Sequence, residues 1–558
     1  MEGTKVFIPW KGEIAWVPAT VTDVQDDKFI VQPEAIEGEN EEAMGPTPGE
    51  PLEVSLKDEG LEEFDALPLQ NMDQPDEGCL DMCHLNYLHE PAILYNLRLR
   101  FNAVKPYTYT GDICIAVNPY QWLDIYTEEL QNAYMDQHRD DLEPHAFSVS
   151  ATAYNQLRAH ARDQSILVSG ESGAGKTETV KILMNHLAAV GGNNDDGVIK
   201  RVLNSNPLLE SFGNAKTVRN DNSSRFGKFT QLQFDTGAPV TELMGSRCEH
   251  YLLEKTRVVA LSPGERSYHI FYQLVRAADT SKMEWGTELV GKSVGDFSYV
   301  SQGDLDTSVI EGTPDSEKFS ITTDTLKLIG VEDVDIMSLY KALSSILFLG
   351  LAKFNPSADG ESSSVADPAL IEKVARLLEV PPDQLTLGLT TRTMRTRGEA
   401  IAVQLNEGQA VDARDALAKA LYARLFDWLV SAINTSTSRK RDVVKEGIIS
   451  LLDIFGFECF VTNRFEQLCI NFANEKLQQK FTQDVFKTVQ IEYEEEGITW
   501  DHIEFPDNAD MLELVEGKKG LIAVLNEECI RPGGDDEGFT SKLSKAHGDN
   551  KRSVEPSP

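Results

Sequence analysis

Ser165-Ile-Leu-Val-Ser-Gly170-Glu-Ser-Gly-Ala-Gly-Lys-Thr177 runs from an apolar stretch into a glycine-rich turn. Its last eight residues, Gly170, Glu171, Ser172, Gly173, Ala174, Gly175, Lys176 and Thr177, fit G-x-x-x-x-G-K-[ST] at every specified position. The glycines let backbone N–H groups point inward around phosphate oxygens, and the following helix adds the positive end of its dipole. Lys176 is placed to reach the β- and γ-phosphates, and the Thr177 hydroxyl to ligate Mg2+. The flanks suit this reading. Ser165–Ser169 reads as a buried strand. Val180, Leu183, Leu187 and Val190 recur at helical spacing over Lys176–Val190, and Gly191-Gly192 stops the helix. A P-loop so placed predicts binding of a nucleoside triphosphate with magnesium.

Two later strands bring candidate partners. Gly447–Leu452 is a continuous apolar run ending in Asp453, followed by Ile-Phe-Gly456-Phe-Glu458. An acid at a strand's C-terminal end beside a P-loop strand is where a carboxylate holds magnesium, directly or through water. Gly456 can offer a backbone N–H to the γ-phosphate. Thr230–Phe234 alternates Leu232 and Phe234 with glutamines, and Asn220-Asp-Asn-Ser223-Ser224-Arg225-Phe-Gly-Lys228 precedes it. Hydroxyls beside an arginine suit a metal ligand and a cation near transferring phosphate; taken alone this is a polar loop. Strands alternating with helices predict an α/β fold with a mostly parallel central sheet flanked by helices. The guanine-reading tetrapeptide Asn-Lys-x-Asp is absent from the chain, which favours ATP over GTP.

Composition narrows the function classes. The 558 residues are 41% hydrophobic, enough for more than one domain or subdomain. A formal net charge of −38 disfavours nucleic acid and anionic membrane as partners. The N-terminus has no signal-peptide pattern, and no apolar run reaches membrane-span length, so the expectation is a soluble cytoplasmic protein. The seven cysteines are scattered; Cys79, Cys83 and His84 lack a second ligand pair, and free thiols are the simpler reading. Residues 1–60 read as a small all-β module with Trp10 and Trp16 in its core. The longest helix candidate covers residues 464–496, started by Asn463 with Glu466 and ended by Gly497, with Phe465, Leu468, Phe472, Leu477, Phe481, Val485, Val489 and Tyr493 as an apolar stripe. At ~1.5 Å per residue it spans roughly 50 Å. The polar segment Arg531–Pro558 reads as ending in a disordered tip.

GESGAGKTE (170–178), NDNSSRFGKF (220–229) and DIFGFE (453–458), in this order, resemble the P-loop, switch I and switch II of a myosin motor domain. LPLQN, YTYTGDICIAVNPY, NPLLESFGNAKT, EHYLLEKTRV, ERSYHIFYQL, DALAK and FEQLCINFANEKLQQ agree with the resemblance. It implies an SH3-like N-terminal β-barrel over 1–60, a motor domain over 67–558 and an actin-activated ATPase coupled to actin filaments of the cytoskeleton, within a myosin complex. Residue by residue, Asn118 and Pro119 match the adenine-side loop and Tyr126 its aromatic wall. Gln121 stands where a basic residue often follows. Asn220 matches a phosphate contact, Ser223 the hydroxyl beside the attacking water and Ser224 the switch I magnesium ligand. Asp453 matches a carboxylate reaching magnesium through water. Arg225 and Glu458 match the salt bridge that closes the site, and Gly456 the γ-phosphate contact.

Residues 464–496 resemble the family's relay helix, with Trp500 at the relay-loop tryptophan. The family resemblance is still running at LNEECIRPGGDDEGFTSKLSKAHGDNK, so the helical actin-binding region reads as cut short and actin affinity as weakened; light chains are implied only with a further C-terminal neck. The alternatives are a nucleotide-gated actin-binding or scaffold protein without force output, and an unrelated P-loop ATPase or GTPase. Sixteen positions before Asp415, Glu399 matches an actin-facing regulatory acid. Glu399→Ala is expected to lower actin-activated turnover in a steady-state ATPase assay, and undiminished activation by actin would refute that role.

Overall fold

The computed structural model describes residues 2–548 apart from 11–14, 26–27, 36–47, 58–60, 62–66, 193–195, 238–240, 279–287, 397–398, 439–444, 461–462, 506 and 532. The apolar run after residue 164 forms the strand Gln164–Val168, and the periodic stretch after it the helix Lys176–Val190. Two longer strands, Gly227–Asp235 and Glu446–Asp453, take in the other expected segments. With Glu242–Tyr251 they build a four-stranded sheet in the order Glu242–Tyr251, Gly227–Asp235, Glu446–Asp453, Gln164–Val168.

The sheet is mixed, not mostly parallel. Among the described residues only Glu446–Asp453 and Gln164–Val168 run parallel. Gly227–Asp235 is antiparallel to both of its neighbours. The short connection from Asp235 to Glu242 has no room for a crossover helix, so the two strands it joins must run oppositely. The register then sets Val168, Asp453 and Lys228 side by side at one sheet edge. Chain leaves two strands there and enters the third.

Around this sheet, Phe147, Tyr154, Leu157, Leu183, Leu187, Leu232, Phe234, Ile449 and Leu451 form one buried cluster. A second, larger cluster fills a helical body that includes His269–Ala277, Asp315–Leu328, Asp333–Leu349 and Glu407–Thr437. A third lies in the N-terminal module, an antiparallel meander of Lys5–Pro9, Trp16–Gln25, Lys28–Pro33 and Leu52–Ser55. Its core is Val6, Ile8, Val17, Ala19, Val21, Val31 and Val54, with Leu61 and Leu67 added from beyond residue 60. Trp10 and Trp16 are only partly buried and pack against that core from its margin.

One helix expectation changes, and two further helices add to those read from the sequence. Glu407–Thr437, an uninterrupted 31-residue helix, was not singled out from the sequence. The helix expected over 464–496 runs as Phe465–Thr482, a π-helical segment Gln483–Lys487, and Thr488–Glu495. Asn463 does not cap it: its side chain bonds the backbone of Phe460, and Gln467 accepts from the Arg464 N–H at 2.9 Å instead. Its buried positions are Gln467, Ile470, Asn474, Thr482 and Gln490, whereas Phe465, Val485 and Tyr493 of the expected stripe are exposed. Toward the C-terminus, Asp536–His547 is helical, capped by the Asp535 carboxylate accepting from Gly538 N–H; residues 549–558 lie outside the described residues.

The helical body is braced just ahead of the Asn220–Phe229 segment. The Tyr422 hydroxyl, on the 31-residue helix, donates to the Phe212 carbonyl at 2.6 Å, and its ring stacks on Tyr268. Phe212 lies in the last turn of the helix Asp196–Gly213, where carbonyls lack helical partners. Tyr422→Phe leaves that carbonyl without the hydroxyl donor in a dry environment, at a cost of about 1–2 kcal/mol. A lowered thermal midpoint is expected, and an unchanged one would remove the capping role.

Candidate active site

Gly173 and Gly175, at φ +86° and +92°, hold left-handed conformations that side chains resist. They turn the chain from the strand Gln164–Val168 into the helix Lys176–Val190. No side chain caps that helix, leaving its first-turn N–H groups for an anion. The Lys176 ammonium donates to the Gly170 and Glu171 carbonyls at 3.0 and 2.7 Å. Burial pushes its pKa down, against the pull of Asp453, Glu458 and Glu171.

In front of this loop lies a cavity of about 510 Å³, within the range of small-molecule sites. Of the expected residues, Asn118, Ser172, Gly173, Gly175, Lys176, Thr177, Asn220, Ser223, Ser224, Gly456 and Glu458 line it. Asn118 is fixed by its Nδ2 donating to the Gly173 carbonyl at 2.9 Å. Gly170, Glu171, Ala174 and Pro119 belong to the same two loops but are not in the lining. Asp453 lines a smaller cavity of about 20 Å³ behind the first, together with Thr177, Ser224 and Lys228. Burial raises the Asp453 pKa, and the Thr177 hydroxyl, Lys228 and Lys176 oppose that rise. The Ser224 hydroxyl donates to the Phe226 carbonyl at 2.8 Å.

Tyr126 does not line the cavity. Its hydroxyl sits 3.1 Å from that of Tyr107, and its ring packs against Trp122, His145 and Phe147, a buried-side environment that suits a half-buried phenol. The ring at the cavity rim is Tyr120, 84% exposed and at φ +50°. The sequence reading also missed Lys181, Arg219 and Glu311 in the lining. Lys181, one turn beyond Thr177 on the P-loop helix, carried a readable signal. Glu311, from a distant hairpin, carried none.

Gly456 closes the far wall at backbone contact. A Cβ there would stand 2.0 Å from the Gly170 carbonyl oxygen and 2.8 Å from the Glu171 Cα. Beyond it, Arg225 and Glu458 are not a surface pair. Arg225 is 0% and Glu458 3% exposed, and two bonds join them, Nη1–Oε1 at 2.8 Å and Nη2–Oε2 at 3.2 Å. Arg225 Nη1 also donates to the Ser223 hydroxyl at 3.2 Å. Its Nε donates to Glu254 at 2.6 Å; Glu254 accepts in turn from Arg257, and Arg257 donates to Glu265 at 3.0 Å. Burial alone would raise the Glu254 carboxyl, but the Arg225 and Arg257 guanidinium groups hold it down at about 2. Asn471, on the long helix that begins with Phe465–Thr482, clamps the Glu458 backbone by accepting from its N–H at 2.9 Å and donating to its C=O at 2.8 Å.

A family model for the myosin head (motor domain) matches residues 79–557. The chain belongs to the myosin head family. Myosin-15 of Arabidopsis thaliana is 42% identical over 551 residues, 97% of this chain and 34% of that protein. Unconventional myosin-Vb of Homo sapiens is 42% identical over 516 residues, 90% of this chain and 27% of that protein. Protein OPAQUE1 of Zea mays is 41% identical over 553 residues, 97% of this chain and 34% of that protein. The chain thus spans about a third of the length of these relatives. In this myosin head a cluster of buried charges, Arg225, Glu254, Arg257 and Glu265, backs Glu458, the member of the cluster that lines the cavity.

A carboxyl held below its unfolded pKa contributes stability above the unfolded value and loses it as pH falls through the folded one. For Glu254 the loss runs from 4.5 down to about 2, and the contribution at neutral pH is on the order of 3 kcal/mol. Glu254→Gln should therefore lower the thermal midpoint at pH 7, with the gap to the parent chain narrowing as pH falls below 4.5. A gap independent of pH would show that the carboxylate is not held ionised.

Proposed function

We propose that this myosin head binds ATP with magnesium in the 510 Å³ cavity and hydrolyses it, as the ATPase of an actin-based motor. The observation that carries the reading is the buried bidentate bridge from Arg225 to Glu458, which joins the segment before one strand to the segment after another across the cavity's rear. Phosphoryl transfer depends mainly on positioning and on electrostatic stabilisation, and such a bridge fences a water in line with the γ-phosphate.

The P-loop residues Gly170–Thr177 would cradle the phosphates, with the Lys176 ammonium on the β- and γ-oxygens. Thr177, Ser224 and Asp453 supply two hydroxyls and a carboxylate around one small cavity, an all-oxygen set that fits magnesium, with Asp453 reaching it through water. Magnesium, when bound, neutralises charge on the β- and γ-phosphate oxygens. Ser223 and the Gly456 N–H face the transferring group, and Arg225 and Glu458 hold the attacking water. Asn118 and Asn220 stand at the two flanks, where the adenine-side loop Asn118–Pro119 and the phosphates belong, with Tyr120 rather than Tyr126 as the exposed ring.

Actin filaments are the proposed partner and the actin cytoskeleton of the cytoplasm the proposed location. Among the described residues no helix is long and apolar enough to cross a membrane. Glu399 begins the strand Glu399–Gln404 at the end of a hairpin with Thr391–Thr396, consistent with a contact-forming loop; its side chain lies outside the described residues. We assign residues 1–60 to an SH3-like module, 67–558 to the motor, and Phe465–Glu495 to the relay.

Lys176→Ala is expected to abolish binding of fluorescent mant-ATP. Gly456→Ala should retain binding while single-turnover hydrolysis falls about 10- to 100-fold, because the added methyl drives the segment off the P-loop. Equal hydrolysis by Gly456→Ala and the parent chain would refute the closed-wall geometry as the hydrolytic one.

A further inference from the structure

Asn222 sits between Asn220 and the Ser223–Ser224 pair, all cavity-lining residues. Its side-chain amide has two N–H donors and two acceptor lone pairs, and four partners match them. Asn222 Nδ2 faces the Glu210 carboxylate at 3.3 Å and the Glu311 carboxylate at 2.9 Å. Asn222 Oδ1 accepts from Asn214 Nδ2 at 3.0 Å and lies 3.2 Å from His269 Nε2. Carboxylates on one side and an amide donor on the other fix the orientation of the amide and make His269 Nε2 the protonated nitrogen.

Three of these partners sit on elements packed in the interior: Glu210 on Asp196–Gly213, Asn214 directly after it, and His269 on His269–Ala277. Glu311 is different. It sits at the tip of a hairpin of Val309–Ile310 with Thr313–Pro314, half-exposed, and it lines the nucleotide cavity itself. Glu311 and Gly312 stand at φ +50° and +76°, two left-handed residues in a two-residue loop, as a type I′ turn requires. A glutamate is a costly choice for such a position.

The hairpin is rigid at its base. Asp315, 1% exposed, donates its N–H to Ser308 and takes bonds from Arg266 at 3.0 Å and Arg276 at 2.6 Å. Lys318 Nζ, 3.3 Å from Glu311 Oε2, steadies the carboxylate from behind. The tip therefore holds its place independently of the Asn220–Phe229 segment, and the Glu311–Asn222 bond ties that segment to a fixed post across the cavity rim.

We propose that Glu311 is a positioning residue, a latch that holds the switch I segment over bound nucleotide through Asn222 and slows nucleotide release. The proposal rests on the nucleotide-binding reading above. A hydrogen bond to a carboxylate is stronger than a neutral one, and half exposure weakens it, so losing the latch should accelerate release about three- to tenfold.

The test is stopped-flow release of mant-ADP from the full chain and its Glu311→Ala, Glu311→Gln and Lys318→Met variants, with thermal midpoints measured alongside. Glu311→Ala is expected to release mant-ADP about three- to tenfold faster with an unchanged midpoint. Glu311→Gln, which keeps an acceptor for Asn222, should stay closer to the parent, and Lys318→Met should give a smaller acceleration of the same sign. Unchanged release from Glu311→Ala, with normal mant-ADP binding, overturns the latch alone. So does acceleration that comes with a falling midpoint and is not reduced in Glu311→Gln, since that marks general loosening. Failure of the parent chain to bind mant-ADP overturns the nucleotide reading and the latch with it.

Discussion

A fully buried guanidinium cannot remain unpaired, and Arg225 is the point at which that constraint organises this head. Its Nε is matched to Glu254 and its two Nη atoms to Glu458. Breaking a buried pair by removing one partner typically costs 3–5 kcal/mol because a charge is left uncompensated. Here the two partners differ in how they are held. Glu254 is pinned by Arg257, itself pinned by Glu265. Glu458 lies in the segment after the strand Glu446–Asp453 and is held by Asn471 through its backbone. Withdrawal of Glu458 would still leave Arg225 paired to Glu254, so the Arg225–Glu458 bridge can break without stranding the charge.

That arrangement requires three segments to meet at one place, and the mixed sheet supplies it. The P-loop and the Asp453–Glu458 segment leave the C-terminal ends of two parallel strands. The Asn220–Phe229 segment enters the N-terminal end of a strand running the other way. Had Gly227–Asp235 been parallel to its neighbour, the residues just before it would emerge at the opposite edge, and Arg225 could not reach Glu458. The antiparallel direction, which strand–helix alternation did not foretell, is therefore a condition for the site.

What the sequence made legible was local. Glycine spacing and 3.6-residue periodicity place the P-loop and the helix Lys176–Val190 to the residue, because those signals arise within one turn and its flanks. Motif resemblance pointed to Arg225 and Glu458, which meet as expected. The rest depends on partners far apart in the chain. Glu254, Arg257 and Glu265 look like ordinary surface charges until folding buries them together. Nor does the sequence show that the Tyr126 ring packs on His145, with its hydroxyl beside that of Tyr107, outside the cavity lining. The stripe on the long helix misled for a related reason. Period alone names an apolar face, but here the packed face carries Gln467, Asn474 and Gln490, whose amides can find partners while buried, as Gln490 does with the Ile503 backbone.

The same polar face connects the site to the far end of the long helix. Asn471 grips both backbone groups of Glu458, and Glu466, one turn earlier, accepts from the Thr256 hydroxyl beside the Glu254–Arg257 pair. The first turns of the helix are thus bonded to the Glu458 backbone on one side and to Thr256, the sequence neighbour of Arg257, on the other. Any displacement of Glu458 relative to Thr256 must stretch one of these bonds or rotate the helix. Further along, regular α-helical bonding gives way to the π-helical segment Gln483–Lys487, a local irregularity of the kind found where helices bend or serve a function. Beyond it Tyr493 packs edge-on against Trp500. The helix thus runs without a break from the two Asn471 amide bonds at Glu458, through a π-helical turn, to the aromatic contact at Trp500, and it is a polar side chain that anchors its near end.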